Sequence, residues 1–192
     1  MLLFIRSNWG VLLTSLVGLS AIVVYCLQRQ HILRSAATKI IMQIDQIESI
    51  IVSVRKDLPL TNVKVYNLPI ILDNNYWEQY GYLLYRKMSF SDIQLVDNFY
   101  LDISGIEKSR ASICHIMHNA WVHKDEIKQS LILKSIECPS DSINDIISKY
   151  EANASIFTPA APVEIISREI GTIRLLQGTT AYESIRKLSY SR

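Results

Sequence analysis

The stretch from Ser7 to Gln28 reads SNWGVLLTSLVGLSAIVVYCLQ, and its 22 residues include no Asp, Glu, Lys, Arg or His. Arg6 and Arg29 stand at its two ends. A helix needs about 20 mostly apolar residues to cross the roughly 30 Å hydrocarbon core of a bilayer. The stretch therefore predicts a membrane-spanning helix. It divides the chain into a short N-terminus with the span, residues 1–28, and a body domain, residues 29–192.

Two other interpretations of this stretch fit less well. A secretory signal peptide has an apolar core of about 7–15 residues followed by a small-x-small cleavage site, whereas the bulky residues Tyr25, Cys26 and Leu27 end this run. Tyr25 also stands where a bacterial lipoprotein signal needs a small residue. A core helix of a soluble protein seldom stays uncharged on every face for so long. An uncleaved span is the favoured interpretation.

The charges that flank the span predict its orientation. Arg6 and the amino terminus precede it, while Arg29, Arg34 and Lys39 follow within a dozen residues. Because cytoplasmic flanks carry the excess of Lys and Arg, we expect the N-terminus outside and residues 29–192 in the cytoplasm. The expected location is the inner (plasma) membrane of the cell, as a single-pass protein.

Small and aromatic residues in the span indicate contacts with other helices and with lipid. Gly10, Thr14 and Gly18 fall four apart, a spacing that lets two helix backbones approach closely in a membrane. Trp9 and Tyr25 lie near opposite ends, where aromatic rings anchor at the level of the headgroups.

The apolar pattern beyond the membrane is helical. It alternates in steps of four and three, which predicts a helix packed lengthwise against another. We call these positions the interaction seam: Leu33, Ala37, Ile40, Ile44, Ile47, Ile51, Val54 and Leu58. The seam is favoured as the core face of a bundle, although isoleucine-rich seams also suit self-association. No helix breaker separates seam from span before Pro59, so one continuous helix can contain both.

The next segments are less regular. Residues 59–75 predict a connection in which residues 63–65 could be extended. The aromatic segment 76–88 predicts a helix with a core-facing stripe. With Arg86 and Lys87, the same rings would also suit a helix at the membrane interface.

The remainder predicts a second long helix and shorter ones. Ser89 and Asp92 have capping-box spacing, and the long helix should run over 92–136, with Gly105 as a point of kinking or splitting. The shorter elements are a helix from Ser140 or Ser142 to Tyr150, a loop over 155–162, a helix from Val163 to Gly178 and a helix from the Thr180/Glu183 box to Leu188. The predicted fold is all-α: a single N-terminal transmembrane helix and a cytoplasmic antiparallel helical bundle with two long helices.

The potential catalytic or metal-binding side chains form one dense cluster: Cys114, His115, His118, His123 and Glu126. Cys114 and His118 share a helical face, but no H-E-x-x-H or paired C-x-x-C spacing accompanies them. We therefore expect no metal site and no cofactor. A thiol–imidazole enzyme at Cys114 and His118 is the least favoured alternative. The chain has no Gly-rich phosphate loop and no G-x-S-x-G turn, so no small-molecule substrate is evident.

Composition narrows the class of partner. The net charge is +2, with 20% charged residues, so the chain has no strong basic field and nucleic acid is not an expected partner. The three cysteines, Cys26, Cys114 and Cys138, form no C-x-x-C pair, as is typical of free thiols in a reducing compartment.

The sequence as a whole favours a non-enzymatic, membrane-anchored interaction protein, a scaffold or a sensor. Its expected partners are the lipid bilayer and either further copies of the chain or another protein. The main alternative is a membrane-acting effector of a bacterial toxin or antiviral-defence system. Such an effector would oligomerise through Gly10, Thr14 and Gly18 and disrupt the bilayer. That alternative depends on similarity of layout alone.

Overall fold

The computed structural model describes residues 9–137 and 160–190, and all regular structure in these ranges is helical. The prediction of an all-helical fold is confirmed for these ranges. The α-helices are α1 (Trp9–Arg55), α2 (Asn62–Tyr66), α3 (Tyr76–Tyr80), α4 (Phe90–Glu137), α5 (Ala160–Thr172) and α6 (Thr180–Tyr190). Two 3-10 turns, Gly81–Leu83 and Tyr85–Lys87, connect α3 to α4.

Helix α1 joins the apolar stretch and the seam without interruption over 47 residues. It ends at Arg55, three residues before the predicted end at Leu58. The chain leaves the helix through tight turns, in which Lys56 N donates to Ser53 O at 3.2 Å and Asp57 N donates to Val54 O at 2.9 Å. Such i to i+3 bonds commonly close the last turn of a helix.

The chain folds into two compact units. The first unit comprises residues 1–46, 75–97 and 176–192, and the second comprises residues 47–74 and 98–175. Helices α1 and α4 each contribute a segment to both units.

The core of the first unit is built around α1. Its buried apolar residues are Ala36, Ala37, Ile40, Ile44, Trp77, Leu84, Val96, Leu176, Ala181 and Ile185. Full burial of an aliphatic side chain contributes about 1.5–3 kcal/mol. Four of these ten residues belong to the short aromatic segment and to the C-terminal helix α6.

The core of the second unit centres on the next part of α1 and on α4. Its buried residues include Ile47, Ile51, Val54, Val65, Ile71, Phe99, Tyr100, Ile103, Ile106, Ile113, Met117, Val163, Ile166 and Ile170. Tyr100 is buried with its ring 5.6 Å from that of Phe99 in an edge-to-face arrangement. Burial raises the pKa of the Tyr100 phenol above its ordinary value.

The connection after Pro59 differs from the prediction. Residues 63–65 are helical, within α2, because Thr61 caps a helical turn: its hydroxyl accepts a hydrogen bond from Lys64 N at 3.4 Å. Val65 is buried. Tertiary packing and a local cap thus override the preference of valine for strands.

The aromatic segment also differs, since α3 ends at Tyr80 instead of continuing as one helix to Met88. Asn75 caps α3, accepting from Glu78 N at 3.1 Å. Gly81 lies directly against the Trp77 ring, where an added Cβ would stand 2.9 Å from the ring atom Cδ2. This close approach requires glycine, and the chain continues as two 3-10 turns.

Helix α4 runs through Gly105 as one continuous helix, so the helix is not split there; the kink stays a prediction. Gly105 is exposed, whereas Ile103 and Ile106 on either side of it are buried. The predicted cap at Ser89 is present: Asp92 N donates to Ser89 Oγ at 3.1 Å.

The C-terminal helices begin and end at other residues than predicted. Helix α5 begins at Ala160, inside the predicted loop, and ends at Thr172, well before Gly178. Gly178 instead occupies a turn with φ +80°, which favours glycine. Thr179 rather than Thr180 accepts from Tyr182 N, at 3.3 Å, and α6 ends at Tyr190. The predicted helix from Ser140 or Ser142 to Tyr150 and residues 155–159 of the predicted loop lie outside the described residues.

Candidate membrane span and interaction surfaces

Among the described residues, α1 is the one helix long and apolar enough to cross a membrane. None of its most apolar 18-residue window is buried within the protein. A core helix of a soluble protein would be mostly covered by its own chain. The apolar half of α1 therefore presents side chains suited to lipid on all its faces.

The polar side chains of the apolar half bond to their own helix. Thr14 Oγ1 donates to Gly10 O at 2.8 Å, and Ser20 Oγ donates to Val17 O at 2.8 Å. Hydroxyl groups in hydrocarbon need such partners, since an unsatisfied polar group is costly there. These bonds make the half compatible with a lipid environment.

The predicted association face is open in this structure. A Cβ added at Gly10 or at Gly18 would meet nothing within 4 Å beyond the helix itself. Thr14 lies between them and is exposed, as are the two predicted anchors Trp9 and Tyr25. The face is therefore free for close contact with another helix.

The interaction seam lies against the protein's own core. Leu33 is half-buried, and Ala37, Ile40, Ile44, Ile47, Ile51 and Val54 are all buried. Leu58 is half-buried in the connection, with its Cδ1 3.6 Å from the position of a Cβ on Gly171. The seam residues on α1 are thus covered by the chain itself.

The carboxylate of Asp92 joins the start of α4 to α6 in the first unit. Asp92, near the start of α4, accepts from Thr180 Oγ1 at 2.6 Å and from Ser184 Oγ at 3.4 Å. The hydrogen bond from Thr180, with further bonds from Ser89 and Ser184, lowers the pKa of Asp92 against the opposing effect of its burial. The helix start predicted from Ser89 and Asp92 thus also fastens α6.

A second carboxylate, Asp45 on α1, fastens the other side of α6. Its Oδ1 accepts from the Tyr182 hydroxyl at 2.7 Å and from Gln177 Nε2 at 3.0 Å. Nothing in the sequence near Asp45 indicates this contact, because its partners lie more than 130 positions away.

The aromatic segment packs on α1 and on the start of α4. Tyr76 N donates to Gln43 Oε1 at 3.0 Å, and the Lys39 ammonium lies 4.8 Å from the centre of the Tyr80 ring. Trp77 is buried, with its indole N–H donating to Asp97 Oδ1 at 2.5 Å. Trp77 thus lies in the core, the placement favoured for this stripe, whereas Tyr82 and Tyr85 are exposed.

In the second unit, Arg110 and Glu107 hold the connection that follows α2. Arg110 donates to Glu107 through Nε at 3.0 Å and Nη2 at 2.6 Å, and this carboxylate raises the pKa of Arg110. Glu107 Oε2 also accepts from Ile71 N at 2.9 Å. The i, i+3 spacing of Glu107 and Arg110 is the local sequence signal for this ion pair.

The predicted cluster around Cys114 does not converge. The Cys114 sulfur lies 3.6 Å from Arg110 Nη1, while His115 pairs with Asn119 at 3.3 Å and His123 with Glu126 at 3.6 Å. His118 is exposed. In the described ranges, no group of three or more His, Cys, Asp or Glu side chains could hold a metal ion.

Arg55, the last residue of α1, closes the C-terminal end of α5. Its Nε donates to Ile170 O at 2.9 Å and its Nη2 donates to Ile173 O. A cation suits the negative end of the helix dipole, and these bonds satisfy carbonyl groups that the helix leaves free. Arg55 thus satisfies carbonyl groups at the end of α5.

The second unit also contains an open groove of about 510 Å³. Ile50, Val54, Leu60, Val63 and Leu68 give it apolar walls. At its rim, Lys64 Nζ donates to Asp57 O at 3.2 Å. The groove therefore offers mainly apolar contacts.

No protein-family model matches the chain, and neither curated proteins nor solved structures give a match.

Proposed function

We propose that the protein is a membrane-anchored helical interaction protein, a scaffold or a sensor subunit. The observation that supports this most is the composition of α1. One continuous helix has an apolar half that the protein leaves uncovered and a second half whose seam is buried in the body. A helix of this kind would hold the body at a fixed place beside the bilayer.

We further propose that the body, residues 29–192, lies in the cytoplasm and the N-terminus outside, because Arg29, Arg34 and Lys39 follow the span. The two long helices α1 and α4 would pair antiparallel in a bundle. That pairing is supported by burial of the seam on α1 and of apolar residues three and four apart on α4: Val96, Phe99, Ile103 and Ile106.

Self-association in the bilayer is the mode of action that the uncovered span favours. The seam is already covered by the chain, whereas the face of Gly10, Thr14 and Gly18 is open. Small residues at this spacing permit close helix packing, which drives association in lipid where the hydrophobic effect does not. The same face would serve a bilayer-disrupting effector, which remains the second candidate function.

The test of self-association is disulfide crosslinking of the full chain in native membranes. With Cys26, Cys114 and Cys138 replaced by alanine, Thr14→Cys should form covalent dimers on mild oxidation. Leu16→Cys, on the opposite side of the helix, is the matched control and should not. Equal crosslinking at both positions, or none at Thr14→Cys, would contradict self-association through this face.

Growth and membrane potential of a bacterial host that expresses the protein then distinguish the candidate functions. An effector would depolarise the cells, and Gly18→Leu would restore the potential by blocking close packing. A scaffold or sensor would leave the potential unchanged, and Gly18→Leu would only reduce crosslinking at position 14. An enzyme at Cys114 and His118 would instead lose its biological effect on His118→Ala without loss of folding.

A further inference from the structure

The body contacts α1 very close to the membrane if the proposed anchoring is right, and this inference depends on that anchoring. Leu33 is half-buried and Ala37 is fully buried, although the apolar stretch ends only at Gln28. At 1.5 Å per residue these positions lie about 8 and 14 Å beyond the stretch. The headgroup layer on one side of a bilayer is about 5–8 Å thick. Some part of the first unit must therefore lie at the headgroups.

The contacts of α3 show which part of the first unit approaches the membrane. Tyr76 bonds to Gln43, and Tyr80 contacts Lys39, with 3.4 Å between the Lys39 Nζ and the Tyr80 hydroxyl. From Tyr76 to Tyr80, α3 therefore runs along α1 toward the span. It passes four residues of α1, which is about 6 Å. The chain leaves α3 at its membrane-proximal end and enters the segment 81–90.

The segment 81–90 carries exposed rings and cations together. Tyr82 is 64% exposed and Phe90 is 81% exposed. Tyr85, Arg86 and Lys87 are exposed as well. Leu84 is fully buried, which holds these side chains on the outer side of the turn. Aromatic rings beside basic residues are typical of segments that lie in a membrane interface.

Within residues 81–90 and the first turns of α1 beyond the span the charge is of one sign, with Glu78 and Asp92 flanking the segment. The sequence has no Asp or Glu in residues 81–90, and none on α1 between Arg29 and Ile44. The cations of the two stretches are Arg29, Arg34, Lys39, Arg86 and Lys87. The cytoplasmic leaflet carries a negative surface potential, so these charges complement its headgroups.

We propose that residues 81–90 form a second membrane contact, in which Tyr82, Tyr85 and Phe90 enter the headgroup region and Arg86 and Lys87 bind anionic lipid headgroups. The body is then held at the bilayer at two points, the end of α1 and this segment. Binding at two points would fix the orientation of the first unit on the membrane surface.

The test measures the depth of single labelled positions in the full chain. The three native cysteines are replaced by alanine, and an environment-sensitive fluorophore is attached at Tyr82→Cys. The protein is reconstituted in vesicles of phosphatidylcholine with phosphatidylglycerol, and lipids that carry a nitroxide at the headgroup quench nearby labels. His31→Cys, just beyond the span, reports on the anchoring. Met42→Cys, exposed and about 21 Å beyond Gln28 on the same helix, is the negative control.

The expected result is strong quenching at positions 31 and 82 and little at 42. Quenching at 31 but not at 82 would overturn the second contact and leave the proposed anchoring intact. Absence of quenching at both positions would overturn both proposals.

Charge reversal tests the lipid chemistry. The pair Arg86→Glu and Lys87→Glu should lower the bound-to-free ratio of the segment, measured by quenching at 82, by about fivefold for each positive charge removed. The pair Lys56→Glu and Lys108→Glu makes the same change of net charge at exposed positions of the second unit and should have no effect. Equal quenching in pure phosphatidylcholine, or no loss on charge reversal, would contradict binding of anionic headgroups.

Discussion

The two halves of helix α1 share one backbone conformation and a high apolar content, but their side chains have opposite environments. In the first half, large apolar residues such as Val17 and Ile22 are more than half exposed. In the second half, the seam residues fall on one stripe and are buried, while Met42 and Val52 on the other faces are exposed. The difference shows that distribution around the helix, rather than apolar content, determines what solvent each half requires.

Isoleucine-to-alanine substitutions should show the largest difference in stability between the two halves of α1. Ile44→Ala removes a fully buried side chain, and Ile22→Ala removes one that is 61% exposed. We expect Ile44→Ala to lower the free energy of unfolding of the body by about 2–5 kcal/mol, because it leaves a cavity. Ile22→Ala should change it by less than about 0.5 kcal/mol. Denaturant titration in detergent measures both, and similar losses would contradict the division of α1.

An added charge should have the opposite pattern of effects: it should disturb the first half of α1 and leave the second half unaffected. Val17→Arg places a cation near the middle of the apolar stretch and should disfavour membrane insertion by about 3 kcal/mol. Met42→Arg, on an exposed face of the second half, should leave insertion and folding unchanged. The fraction of protein that resists carbonate extraction reports insertion. If Val17→Arg were fully retained in membranes, the first half would not be a span.

Alanine substitutions at two glycines compare a tightly packed position with an open one. Gly81→Ala places a Cβ 2.9 Å from the Trp77 ring, which the Asp97 hydrogen bond holds in place, and should cost about 1–3 kcal/mol. Gly105→Ala meets nothing within 4 Å in the middle of α4 and should stabilise by about 0.5–1 kcal/mol. Thermal unfolding followed by circular dichroism measures both changes. Destabilisation by Gly105→Ala would mean that α4 is not continuous there.

The smallest expected effect concerns pH. Because the folded state lowers the pKa of Asp92, the carboxylate contributes stability above its ordinary pKa of about 3.9 and loses it as the pH falls below that value. Asp92→Asn should therefore cost about 1–2 kcal/mol at pH 7 and progressively less below about pH 4. The exposed Asp125→Asn is the control. A pH-independent cost for Asp92→Asn would contradict the role of its charge.

Patterns within a few residues of one another predicted much of the fold. The apolar stretch, the seam and the Ser89–Asp92 cap are all local, and each predicted its helix. The contact of Arg55 with the end of α5 is not visible in local patterns, because the two lie more than 100 residues apart. The Thr180/Glu183 spacing predicts a capping role for the Thr180 hydroxyl, but this hydroxyl donates to a distant carboxylate, Asp92.

The two candidate interaction surfaces also differ in how far local sequence predicts them. The open face of Gly10, Thr14 and Gly18 is a property of one helix, so spacing alone could propose it. The surface at residues 81–90 depends on a 3-10 turn, which Gly81 packing on Trp77 produces and which helical periodicity cannot describe.

The most direct test of the central claim is a cysteine-accessibility scan along α1 in sealed inside-out membrane vesicles, in which the proposed cytoplasmic side faces the solvent. The three native cysteines are replaced by alanine, and single cysteines are introduced at exposed positions. Leu13 and Ile22 represent the first half, and Ser35, Met42 and Ser49 the second. A water-soluble maleimide should label the second-half positions rapidly and leave the first-half positions unlabelled until detergent is added. Equally fast labelling of Ile22→Cys and Met42→Cys in intact membranes would contradict the division of α1 into a span and a body helix.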